Sequence, residues 1–167
     1  MSTKVAIKSG EKAPSLSLPD TTGETHSLGQ ALTKGPVLLA FFKVGCPTCQ
    51  YAFPFIERLH RQFADHGAFF WGISQDDQPA SREFASEYGL TFPILIDRKP
   101  YQVSNHYGVG YTPTLFLVAS DGKVELTGDG FSKQDLIQTQ KWLSQSLSAA
   151  PGDLFLPGEH VPEFKPG

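Results

Sequence analysis

The chain holds two cysteines, and they stand three positions apart as Cys46-Pro47-Thr48-Cys49. They follow the apolar run Val37-Leu38-Leu39-Ala40-Phe41-Phe42 and precede a helix-like stretch, which places the pair at a strand-to-helix junction. A thiolate in the first turn of a helix meets unpaired backbone N–H groups and the positive end of the helix dipole. Its pKa falls from about 8.5 toward or below neutrality, so Cys46 is expected to be a nucleophile. Cys49 lies at i+3 on the same helical face, close enough to attack a mixed disulfide on Cys46 and release the partner. Two other uses of the pair are weighed on spacing. Structural zinc needs four ligands, and the chain offers only the scattered His26, His60, His66, His106 and His160 beyond the pair; no metal is expected. A structural disulfide closing so short a loop constrains little.

The elements that must position the pair are legible around it. Ser15-Leu16-Ser17-Leu18 before the turn Pro19-Asp20-Thr21-Thr22-Gly23 reads as an N-terminal β-hairpin, and Ser27 as the cap of a short helix through Leu32. Residues 37–42 read as a buried central strand, and 47–64 as the helix that carries the cysteines. Pro47 suits its first turn, whereas Pro54 removes an internal hydrogen bond. Further along, 68–74 is a second buried strand, 81–88 a helix ending at Gly89, 91–97 a short apolar segment and 103–107 a helical turn. Residues 114–118 form a third strong strand, turned by Ser120-Asp121-Gly122-Lys123 into 124–126, and a last helix fits 132–147. Strands alternating with helices, closed by a hairpin and a helix, predict an α/β fold: a mixed central sheet with helices on both faces.

Size and composition set the limits. A chain of 167 residues, 40% hydrophobic and 19% charged, fits one globular domain over 1–148. The tail, 149–167, contains Pro151, Pro157, Pro162 and Pro166, and can be neither a regular helix nor a central strand. It also carries Leu154, Phe155, Leu156, Val161 and Phe164, so it is expected to pack along the domain or against a partner subunit, which leaves a homodimer open. Net charge is −3 without a Lys/Arg cluster, which discounts nucleic acid as a partner. The polar start Met1–Lys8 and the lack of any run of about 18 apolar residues give no signal peptide or membrane span, and a cytoplasmic setting is expected. In that compartment a close cysteine pair is catalytic or metal-binding more often than structural.

The chain resembles the thioredoxin fold, and within it the TlpA/ResA-like and AhpC/TSA-like redoxin families, over roughly residues 8–147. The matching segments are Gly10-Glu11-Lys12-Ala13-Pro14 with Leu16–Asp20, Phe41-Phe42 leading into the Cys-x-x-Cys, Pro54, Ile73–Asp77, Phe92–Asp97, Tyr107-Gly108-Val109, and Tyr111-Thr112-Pro113-Thr114 with Asp121-Gly122-Lys123. The resemblance implies a thiol-disulfide oxidoreductase acting on a protein thiol or disulfide, reset by an external dithiol donor, with no cofactor. It implies that Pro113 is cis and faces the cysteines, and that Thr112 presents backbone groups to an extended substrate beside Pro47 and Thr48. Departures stand beside the matches. The buried acid that many thioredoxins carry six residues before the first cysteine is Ala40 here, and the aromatic that often precedes that cysteine is Gly45. Glu57 lies too far along the helix to serve as a base, and Lys43 is the nearby group that could lower a thiol pKa. A peroxidase is the second reading, but peroxiredoxins carry a hydroxyl three residues before the reactive cysteine, where Cys46 has Lys43 and Cys49 has Cys46. A redox-sensing or peptide-binding module using the Thr112-Pro113 groove is the reading without catalysis.

Overall fold

A computed structural model describes residues 4–167; the first three residues of the polar N-terminal segment lie outside the described residues. The central run does form a strand, β3 (Val37–Phe42), with every residue buried. Its alternation feeds two cores: Leu38, Ala40 and Phe42 face one side of the sheet, and Val37, Leu39 and Phe41 the other. Parallel pairing joins β3 to β4 (Phe69–Ser74), and β4 to β5 (Ile94–Ile96); antiparallel pairing joins β3 to β6 (Thr114–Val118), and β6 to β7 (Val124–Asp129). The five strands lie in the order β5-β4-β3-β6-β7. A strand paired on both sides and covered on both faces must be apolar throughout, which is why 37–42 has no polar residue.

One face carries α2 (Pro47–Phe63), α3 (Gln78–Glu87) and α5 (Lys133–Leu147), the other α1 (Leu28–Leu32), α4 (Gln102–His106) and the N-terminal segment. Under α2 lies an aromatic cluster, with Phe42 to Phe53 ring centroids 4.5 Å apart and Phe42 to Phe84 4.7 Å apart. Gly72 of β4 makes room for it: a Cβ there would stand 2.7 Å from Ile94 Cδ1 and 3.2 Å from the Phe42 ring. Glu57 fastens the far end of α2. Its carboxylate is buried and accepts the Thr91 N–H at 2.8 Å, the Thr91 hydroxyl at 2.7 Å and the Arg61 Nε–H at 2.8 Å. Glu57→Ala removes these bonds and leaves exposed Thr91 to water, and a loss of about 1.5–3 kcal/mol is expected in urea unfolding, since bonds to a charged group are the strong ones.

The N-terminal segment closes both edges of the sheet. Glu11 and Ala13 bond to Val124 and Gly122 beside β7, while the hairpin β1 (Ser17–Pro19) and β2 (Thr25–Ser27) meets β5 through the Thr21 N–H on Ile94 O, 3.1 Å. Edge strands left bare would pair with other chains. Local chemistry moves two expected boundaries. The helix expected from Ser81 begins at Gln78, because Asp77 caps it by accepting the Ala80 N–H at 2.9 Å and Pro79 sits in its first turn. β7 runs to Asp129, three residues past the expected end, because it pairs with all of β6.

The tail runs back over α2. Leu154 is buried in the α2/α5 core, and Arg58 of α2 grips Glu159 with two hydrogen bonds of 2.8 and 2.7 Å and the Leu154 carbonyl with a third of 2.8 Å. Two short strands, β8 (Phe131–Ser132) and β9 (Phe164–Lys165), then pair antiparallel, a contact the proline spacing does not predict.

Candidate active site

Cys46 is the N-cap residue of α2, extended in backbone, with Pro47 in the first turn behind it. Its sulfur accepts the Cys49 N–H at 3.1 Å and donates its thiol hydrogen to the Thr112 carbonyl at 3.3 Å. A sulfur in the cap position satisfies an otherwise orphaned helix donor, and the interaction strengthens with negative charge on the sulfur. Cys46 is half-buried, whereas Cys49 is fully buried, and both are free thiols. The Thr112-Pro113 peptide is cis, as is Lys99-Pro100, the second of which the sequence reading did not anticipate. Thr112 is brought against the cysteines from 66 residues away in sequence. Thr48 is half-buried and Pro47 exposed.

Burial pushes the Cys49 thiol well above its ordinary value of 9.0, and the hydrogen bond with Cys46 adds to the rise; the Lys43 backbone and the Thr112 side chain partly offset it. No carboxylate stands among these partners. Ala40, at the position where an acid was weighed, is buried in the apolar cluster that holds Cys49, and Glu57 is committed to Thr91 and Arg61. Lys43 is exposed and lines a cavity of about 260 Å³ with Gln75, Tyr111, Thr112 and Gly167. In the reduced chain at pH 7, iodoacetamide is expected to modify Cys46 alone and to reach Cys49 only after denaturation, read by mass. The sign of the pH effect follows. A thiol raised on folding contributes stability below its ordinary value of 9.0 and loses it as pH climbs toward the folded value. The alkaline fall in stability should therefore be steeper for the dithiol than for the disulfide, in which Cys49 no longer titrates.

Two residues that the sequence reading missed hold the loop before Cys46. Asp76 Oδ2 accepts the Val44 N–H at 2.8 Å, and Gln50 Nε2 donates to the Val44 carbonyl at 3.0 Å. Asp76 lies in a segment already matched by resemblance and Gln50 directly after the Cys-x-x-Cys, but their targets are backbone groups, which side-chain spacing does not reveal. One cluster has metal-ligand types among the described residues, Asp20, Glu24 and His26. There Asp20 closes the hairpin turn, bonded to Thr22, the Glu24 N–H and His26.

A sheet of this order with an N-capping, half-buried cysteine, a buried partner at i+3 and a facing cis-proline loop defines a thioredoxin-fold dithiol protein. The profile of the AhpC/TSA family matches residues 9–127, and the chain belongs to that family. It is 37% identical over 138 residues to the thiol-disulfide oxidoreductase ResA of Geobacillus thermodenitrificans, covering 81% of this chain and 78% of that one. Among solved structures, a thioredoxin-family thiol:disulfide interchange protein from Chlorobium tepidum superimposes with a TM-score of 0.69 at 22% identity, over 83% of this chain and 98% of that one. The peroxidoxin BcpB of Mycobacterium tuberculosis superimposes with 0.67 at 26% identity, over 85% and 97%.

Proposed function

We propose that the chain exchanges electrons between the Cys46/Cys49 dithiol and a protein disulfide. It is a thiol-disulfide oxidoreductase, the activity named for its ResA relatives. The observation that carries the reading is the paired placement of the sulfurs: Cys46 accessible at the helix cap between the Cys49 N–H and the Thr112 carbonyl, and Cys49 sealed behind it. Cys46, as the thiolate, attacks one sulfur of the substrate disulfide; that bond breaks, and the other substrate sulfur leaves and takes up a proton. Cys49 then loses its proton and attacks Cys46 in the mixed disulfide, expelling the second substrate thiolate and leaving a Cys46–Cys49 disulfide. An external dithiol donor supplies two electrons and two protons to reset the pair. No cofactor takes part.

Thr112, Pro113, Pro47 and Thr48 form the binding surface in this reading, and Lys43 adds positive charge near the pair. The Thr112 side chain eases ionisation of Cys49, so Thr112→Val is expected to lengthen the life of the mixed disulfide, with the first step unchanged in stopped-flow alkylation of Cys46. Residues 1–148 are taken as the redox domain and 149–167 as a tail acting on it. A cytoplasmic setting, where the thiol pool keeps the pair reduced, completes the proposal; light scattering tests whether a homodimer forms.

The deciding experiment is a titration of the pair in glutathione buffers of defined potential, read by mass after alkylation, with peroxide consumption followed in parallel. A two-electron transition to an intramolecular disulfide with negligible peroxide turnover supports the oxidoreductase, and its midpoint gives the direction of electron flow. Fast oxidation by peroxide supports the peroxidase reading and an antioxidant role instead. That second reading draws on the structural match to a peroxidoxin, against which stands Lys43 in the place of the activating hydroxyl.

A further inference from the structure

The last four residues of the chain lie on the flank of the cysteine pair. β9 pairs with β8 through Phe131 opposite Lys165 and Ser132 opposite Phe164, and the Lys133 N–H bonds the Glu163 carbonyl at 3.0 Å. The strand then delivers the Pro166 carbonyl to the Thr48 hydroxyl at 2.6 Å. Gly167 comes so close to Thr112 that a methyl group at 167 would collide with the Thr112 carbonyl, the same oxygen that takes the Cys46 thiol hydrogen. Beneath β9 is an aromatic shelf of Tyr51, Phe55 and Phe131, with Tyr51 and Phe131 centroids 5.0 Å apart, and Lys165 Nζ lies 4.8 Å over the Tyr51 ring.

None of the four residues belongs to the core. Phe164 is 56% exposed, Lys165 is half-buried, and Pro166 and Gly167 are exposed. Their contacts are a short backbone pairing, one hydroxyl-to-carbonyl bond, one cation over a ring, and close approach at Thr112. These are the contacts by which any extended polypeptide meets a strand edge and a polar rim. They are weak enough to exchange, since an exposed cation–π contact and one hydrogen bond each shift the docked population by only about fivefold.

We propose that segment 164–167 is a displaceable occupant of the docking groove for an extended, disulfide-bearing protein segment, so that the groove of Thr48, Tyr51, Thr112 and the β8 edge reads a backbone strand with a cation placed for Tyr51. A protein substrate must bring a sulfur to Cys46 with its neighbouring residues against Thr112 and Thr48, where the tail now lies. A small disulfide needs only the sulfur. Because the tail is tethered, it competes at an effective concentration in the millimolar range, and the groove is open to a protein only in the fraction of molecules with the tail released. The tail thus sets the choice between small and protein disulfides. This inference rests on the oxidoreductase reading for its substrate, but its geometry is tested apart from it.

The test compares the full chain with a chain ending at Glu163, which keeps Leu154 in the core and the Arg58–Glu159 clasp, and with full-length Lys165→Glu. Far-ultraviolet circular dichroism and thermal unfolding confirm the fold of each. In the reduced proteins, alkylation of Cys46 is timed with iodoacetamide and with a maleimide carried on an extended, lysine-containing peptide. The shortened chain is expected to react at least about fivefold faster with the peptide reagent and less than about twofold faster with iodoacetamide, and Lys165→Glu to shift the same ratio by a smaller factor. An unchanged ratio overturns the inference, as does a slower peptide reaction, which would make the tail part of the receiving surface. Reduction of insulin and of a small aromatic disulfide is then compared. A ratio shift in alkylation with neither disulfide reduced by any of the chains sinks the oxidoreductase reading and leaves the groove. Reduction of both at an unchanged ratio sinks the groove and leaves the oxidoreductase.

Discussion

Cys46→Ser eliminates disulfide exchange, with a loss of at least about 10³-fold in the rate of insulin reduction, because a serine hydroxyl is neither ionised at neutral pH nor able to carry the two-electron change. Cys49→Ser behaves differently. Cys46 keeps its place at the cap of α2 and its Thr112 carbonyl partner, so the first attack proceeds and the mixed disulfide accumulates, visible as a mass increase that dithiothreitol removes. The contrast between the two variants is the prediction. If Cys49→Ser turns over like the parent chain, Cys49 has no resolving role; if Cys46→Ser forms the adduct instead, the order of attack is reversed. Cys46→Ser should unfold at nearly the parent's temperature in the reduced state, since serine nearly matches the volume lost at a cap that is half exposed, whereas Cys49→Ser places a hydroxyl in the apolar cluster and should unfold somewhat lower.

Phe53→Ala produces the largest expected fall in stability. Phe53 is fully buried and packs its ring against Phe42 at 4.5 Å, Phe84 at 5.6 Å and Phe92 at 6.1 Å. It is the ring through which α2 sits on β3, α3 and the loop before β5. Emptying a site of this kind costs about 3–5 kcal/mol, a large share of the roughly 5–15 kcal/mol that holds an ordinary domain together. Chemical denaturation of the reduced chain measures it. A loss below about 1 kcal/mol would mean that the neighbouring rings close over the cavity and that Phe53 does not seat the helix. The same variant links stability to function. Pro54, the next residue, denies α2 one internal hydrogen bond, so the half of the helix that presents Cys46 depends on side-chain packing for its position.

Much of the redox centre is local, and local features are what a sequence displays. Cys46 and Cys49 are three residues apart, and the strand and helix that position them are contiguous with them. Fully apolar 37–42 has no polar residue that would allow an exposed face, and Ser27, Ser132 and Pro47 mark helix starts through bonds and dihedral preferences internal to one turn. Thr112 and Pro113 are legible only through resemblance, because nothing in their immediate neighbours says that β6 comes to lie beside β3. The start of α3 was misplaced for a local reason of a different kind: Asp77 is one of several polar residues in Gln75–Gln78, and which of them caps is decided by where β4 ends.

The amino-acid sequence by itself determined the chemistry offered, a dithiol on a helix cap, and the architecture able to carry it, because both rest on periodicity and on contacts within one turn. Only the tertiary structure decided the environment of that chemistry. Burial of Cys49 behind Thr112, the commitment of Glu57 to Thr91, the fastening of Val44 by Asp76 and the arrival of residues 164–167 beside Thr112 and Thr48 all join groups that are 32 or more residues apart, the farthest being Thr48 and Pro166 at 118 residues. Such contacts are set by how the sheet twists and which faces are left uncovered, and many sequences with the same local signals would satisfy them differently.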